Sequence, residues 1–305
     1  MQNAELLRIQ FCILHSAFCI RVGTMTEPSP DIPKQSPRSL LFQFVLFPLG
    51  IALIAVAVFY LFGKMATQEQ SVSDYLNEIR SGSSHERWQA AYQLSKSLDR
   101  GEAKKSPNLE ARVAALYQSS KSDDPRIRRY LAIVLGRLGD RRATPLLLDG
   151  LNDKDVENRV YAMLALGELR DPAAVPALAK LAADPERDVR KTAVYALGTI
   201  NDPRAVPALA QALNDQEADV RWNAAVSLAG FGDRRAVGPL KEMLDRERLG
   251  RVTGMREDQK EDAMIVAMTA YTRLVGKDAA PDLQRIADAD PSLRVRAAAK
   301  RALAR

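Results

Sequence analysis

The chain has 305 residues, 47% hydrophobic and 27% charged, a balance that supports a packed core and excludes an intrinsically disordered protein. Its net charge of +6 falls to +4 once the first 64 residues are left out, with both signs interleaved. So weak a basic bias gives no argument for nucleic acid, and no nucleic-acid partner is expected.

Residues 1–38 read as a disordered tail. Within it, Cys12 and Cys19 sit in FCILHSAFCI, where the triplet FCI occurs twice. Met25 opens the Pro-rich polar stretch EPSPDIPKQSPRS and makes a more ordinary start than Met1, so residues 1–24 are expected to be translated upstream sequence. A short amphipathic leader is the rival reading. From Met25 onward the chain has no cysteine, which removes both a disulfide framework and a cysteine nucleophile.

Residues 39–63 carry no charge: SLLFQFVLFPLGIALIAVAVFYLFG. A run of that length exceeds the ~20 apolar residues needed to cross a ~30 Å hydrocarbon core, and predicts one transmembrane anchor. Lys34 and Arg38 precede it and only Lys64 closely follows it. The bias favours a cytoplasmic N-terminus and a cell-membrane, single-pass protein with its main domain on the non-cytoplasmic, periplasmic side.

From residue 64 onward the sequence repeats itself. Leu135, Leu166, Leu197 and Leu228 are 31 residues apart, as are Arg128, Arg159, Arg190 and Arg221, and Asp140, Asp171, Asp202 and Asp233. A fixed period in this range marks stacked units, none of which buries its apolar face alone. Each unit reads as two helices. Val189, Ala193, Ala196, Leu197 and Ile200 recur at helical spacing, and Val206, Leu209, Ala210 and Leu213 do so again after a break at Asn201-Asp202-Pro203. Asp202 is placed to accept from free N–H groups at the next helix start, and Pro207 sits in a first turn. RWQAAYQL at Arg87 and RVRAAAKRALAR at the C-terminus extend the pattern to both ends, with insertions near 97–107 and 245–262. The second insertion holds eleven charged residues in eighteen and is expected to be a mobile loop flanking a binding face. Alternatively, Met255–Lys260 lengthens the following helix.

The layout D-x-x-V-R-x-x-A-x-x-A-L-G, followed by D-x-R-A-V-P-x-L, resembles the HEAT-like repeats first noted in phycobilisome lyases, from about Ser71 to Arg305. The resemblance implies an all-α fold, an α-solenoid of about six helical-hairpin repeats, here preceded by the anchor. It implies no single function, because such repeats serve scaffolds, partner-binding modules, bilin lyases and some metal or nucleic-acid enzymes.

The Arg and Asp columns are read as a structural ladder of charge-assisted hydrogen bonds between units, and Gly136, Gly167 and Gly198 as sites of close backbone approach. Only His15 and His85 could ligate a metal through imidazole; the single His85-Glu86 pair falls short of the several such pairs seen in HEAT-repeat di-iron hydroxylases, so no metal or other cofactor is expected. Nothing at a diagnostic spacing singles out a catalytic acid, base or nucleophile. Residues that vary between units are the candidates for partner binding: Trp88, Tyr130, Tyr161, Lys191 and Trp222. Filling gaps between neighbouring helices is the alternative role for them. The sequence therefore predicts a membrane-anchored scaffold binding another protein without catalysis of its own, the alternative being an enzyme or enzyme accessory such as a bilin-lyase-like subunit. A pocket holding paired acidic residues separates the two.

Overall fold

The computed structural model describes residues 46–66, 70–98, 106 and 108–304. The expected tail over 1–38, the choice between Met1 and Met25, and residues 99–105 of the first insertion lie outside them. Two units, 1–68 and 69–305, are distinct.

In the first unit, α1 (Phe47–Ala66) overlaps the expected anchor from residue 47 to 63 and runs three residues past it. The large apolar side chains from Phe47 to Leu61 are exposed, Phe59 at 84%. The membrane-spanning helix expected over 39–63 is not met as drawn: residues 39–45 fall outside the described set, and among the described residues no helix is long and apolar enough to cross a membrane.

The second unit is all-helical among its described residues, two alternating rows of helices stacked into a solenoid. One row comprises α3 (Ser84–Ser97), α5 (Pro125–Leu138), α7 (Val156–Leu169), α9 (Arg187–Ile200), α11 (Ala218–Gly230), α14 (Glu257–Val275) and α16 (Leu293–Leu303). The other comprises α2 (Val72–Ser81), α4 (Leu109–Ser119), α6 (Thr144–Gly150), α8 (Val175–Leu181), α10 (Val206–Ala212), α12 (Val237–Met243) and α15 (Ala280–Ala289). A continuous apolar core runs between the rows from Leu76 to Ala299. Val189, Ala193, Ala196 and Leu197 of α9 are fully buried in it, as their helical spacing requires.

The join between rows is more elaborate than one cap. The Asp202 carboxylate accepts from the Arg204 N–H at 2.9 Å, and this caps a 3₁₀ turn, Pro203–Ala205, that leads into α10. Asp140, Asp171 and Asp233 cap their own turns in the same way. One residue ahead of each Asp the backbone turns left-handed: Gly139 (φ 75), Arg170 (φ 49), Asn201 (φ 57) and Gly232 (φ 75). Arg is poorly suited to this conformation, which costs a residue with a Cβ about 1–2 kcal/mol. Arg170→Gly should therefore raise the urea midpoint, by about 1 kcal/mol of stability, whereas Asn201→Gly should change it little because Asn tolerates the conformation. Equal responses in the two variants would contradict this.

The second insertion is packed, and the expectation of a mobile loop is corrected. Residues Arg246–Gly250 form α13, whose Leu249 is fully buried. Arg246 ties it down with Nε and Nη2 on the Asp290 carboxylate at 3.0 and 2.9 Å and Nη1 on Glu257 at 2.8 Å. The rest divides between a turn and the first residues of α14, which begins at Glu257. One buried leucine and one bridging arginine are enough to order a segment that is otherwise charged.

Candidate interaction surface

Successive helices of the α5, α7, α9, α11 row pack directly on one another, whereas α6, α8, α10 and α12 scarcely touch, so the stack bends toward the first row. Glycine makes the close approach possible: a Cβ on Gly136 would lie 2.8 Å from Ala165 Cα, and one on Gly198 would lie 2.0 Å from Ser227 Oγ. Gly167 stands against Ala196 in the same manner.

On the open side of this row, five residues after the arginine column, lie Tyr92, Ile133, Leu164, Tyr195 and Val226. They are half-buried except Tyr195, which is 52% exposed. Sequence reasoning missed this stripe, although its 31-residue spacing from Ile133 to Val226 was there to be read. The residues expected to bind a partner lie on the same helices, Trp222 buried and the other four half-buried. Trp88 lies edge-on to His85 and under the Arg126 guanidinium, with 4.3 Å to the ring centroid. Tyr130 meets Tyr92 in a tilted ring contact, centroids 5.2 Å apart, and Tyr161 is partly buried against the core. Lys191 reaches Asp188 at 3.3 Å. Trp222 is 7% exposed and its Nε1 has no acceptor. These positions run along the seams between neighbouring helices.

The Arg and Asp columns do not pair with each other. Arg190 donates from Nε and Nη2 to Asp215 at 2.7 and 3.1 Å, and from Nη1 to the carbonyls of Asp184 and Pro185. Arg128 is ion-paired to Asp153 at 2.9 Å, off the direction of a hydrogen bond, and donates to the Tyr117 carbonyl. Arg159 donates to the Asp153 carbonyl, and Arg221 to those of Asp215 and Gln216. Arg159, Arg190 and Arg221 thus hold the loop that precedes their own helix, and Arg128 and Arg190 also reach the loop before the next helix of the row. The partner column is Asp153, Asp184 and Asp215, also 31 apart, and Arg246 stands where its next member would be. The Arg190 guanidinium beside Asp215 holds that carboxyl below the usual range. Asp140, Asp202 and Asp233 are lowered by the arginine two residues on, and Asp171 chiefly by the Ala173 N–H.

Glu86 is committed to a capping box, accepting from the Ser83 N–H at 2.8 Å, while His85 faces Trp88. Among the described residues no group of three His, Cys, Asp or Glu could hold a metal ion.

The glycine column stops at Ala229, and with α13 inserted the spacing between α11 and α14 opens into a groove. Its largest section, about 580 Å³, is bordered by Tyr195, Trp222, Val226, Asp219, Asp262 and Val266, among others. It thus contains a pair of acidic residues, but each is engaged: Asp219 with Arg187 at 2.6 Å, Asp262 with Arg294 at 2.5 Å.

The HEAT repeats family model matches residues 113–195 and 178–255. Two solved structures extend the likeness across the solenoid. The complex of CpcE and CpcF of phycocyanin lyase from Nostoc sp. PCC7120 superposes with a TM-score of 0.55 at 21% identity, covering 77% of this chain and 87% of that one. YibA of E. coli gives 0.50 at 18% identity, covering 76% and 82%. At these identities the likeness concerns the fold of the HEAT stack alone. No curated protein matches the sequence.

Proposed function

We propose that this HEAT-repeat protein is a scaffold, held at a membrane by its N-terminal apolar run, that binds another protein through the face of the row from α3 to α16. The apolar stripe on that face, half-buried except at the exposed Tyr195, carries the reading. The uncharged run over 39–63 and the exposed side chains of α1 support the anchor, and the basic residues ahead of the run support a solenoid on the non-cytoplasmic side. The arginine clamps are structural in this reading, and neither a catalytic group nor a cofactor enters it.

A photo-crosslinking residue placed at Tyr195 of the full chain should give adducts with a second protein in native membranes, while one at Gln211 on α10 should not. Adducts from position 211 in equal yield would remove the assignment of the face. For the anchor, a chain starting at Glu69 should stay helical and leave the membrane fraction; its retention there would count against the N-terminal run as the attachment.

A further inference from the structure

Among the described residues of the solenoid four large apolar side chains are exposed, namely Val156, Tyr195, Val266 and Leu293, and two of these, Tyr195 and Val266, border one groove. The groove continues beyond its main section. A second section of about 290 Å³ shares Val226, Gly230, Val266 and Arg273 with it, and a third of about 300 Å³ between α14 and α16 shares Ile265, Thr269 and Arg273 with the second. Arg273 borders all three sections, and Arg301 borders the last.

The charges in the groove are not equally satisfied. Asp219 and Asp262 are neutralised by Arg187 and Arg294. Arg273 and Arg301 are exposed and, among the described residues, meet no carboxylate within 4.0 Å. The charge left over after internal pairing is therefore positive, and it stands over an apolar floor of Val226, Ile265, Val266 and Ala298. Trp222 adds a donor in the wall, its Nε1 buried without an acceptor.

We infer that this groove receives a segment of a partner protein presenting carboxylates between apolar side chains, with Arg273 and Arg301 pairing the acids. This deepens the protein-binding reading and rests on it. Apolar side chains would cover Tyr195 and Val266, and a guanidinium beside a desolvated carboxylate gives orientation as well as affinity.

The chain has two tryptophans, so Trp88→Phe leaves Trp222 as a fluorescence reporter in the groove wall. The full chain carrying that change, in detergent, is titrated with three 12-residue peptides alternating Leu with Glu, Gln or Lys, and with a dT20 oligonucleotide. The Leu-Glu peptide should give a saturable change in Trp222 emission, at least tenfold weaker in Arg273→Glu and in Arg301→Glu. Both sites are exposed and without an ionic partner among the described residues, so the melting temperatures of the variants should stay unchanged. Equal or tighter binding of the Leu-Lys peptide, no saturable binding, indifference to Arg273→Glu, or arginine-dependent binding of dT20 would each overturn the assignment. Adducts from position 195 together with any of these results would leave protein binding standing and remove only the acidic partner.

Discussion

Arg190→Ala should destabilise the solenoid by about 3 kcal/mol at neutral pH. Arg190 and Asp215 are both about nine-tenths buried, and the variant leaves that carboxylate, with the Asp184 and Pro185 carbonyls, short of a donor. Removing one member of a buried pair costs about 3–5 kcal/mol because the other remains desolvated and unpaired. The loss should depend on pH in a defined direction. The folded Asp215 pKa lies below its unfolded value, through the Arg190 hydrogen bonds first, so this stabilisation is full above the unfolded pKa of about 3.9 and is lost as pH falls through the folded value. Urea midpoints of the two proteins should accordingly be far apart at pH 7 and converge as pH is lowered past 4. A constant gap would mean that the arginine acts through packing and not through its partner.

Gly136→Val should cost about 2–3 kcal/mol, since its Cβ would meet backbone, Ala165 Cα at 2.8 Å, and two helices must part to admit it. Gly238→Ala is the control: nothing lies within 4 Å of that Cβ, so no loss is expected. Thermal melts separate the two. A Gly136→Val protein as stable as the parent would show that the seam between α5 and α7 relaxes freely.

What the sequence revealed and what it hid divide along a physical line. The 31-residue period exposed the helices, their buried faces and the caps at Asp140, Asp171, Asp202 and Asp233, because those follow from residues close together in the chain. The partner of Arg190 depends on where a loop returns 25 residues later. The Arg column was visible, yet it was matched to the wrong Asp column, although Asp153, Asp184 and Asp215 share the same period. Segment α13 read as a loop because charge dominates it, and the burial of Leu249 arises from tertiary packing that no local pattern encodes. Trp222 read as a surface anchor because its position varies from repeat to repeat, whereas it is 7% exposed in the wall beside α11. The groove itself is a spacing between helices, produced where the glycine contacts end, and has no motif of its own.

The unequal packing of the two rows gives the solenoid a preferred compliance. Glycine contacts hold α5, α7, α9 and α11 together as a near-inextensible spine, while α6, α8, α10 and α12, which scarcely meet, can fan apart or draw together at little cost. Motion of the stack is then flexion about that spine and not stretching along it. Flexion alters the spacing of the outer row while keeping the apolar stripe on the spine in register, so Ile133, Leu164, Tyr195 and Val226 stay at a constant pitch as the arc tightens or relaxes. A protein built this way can accommodate partners of different curvature and still present the same ruler.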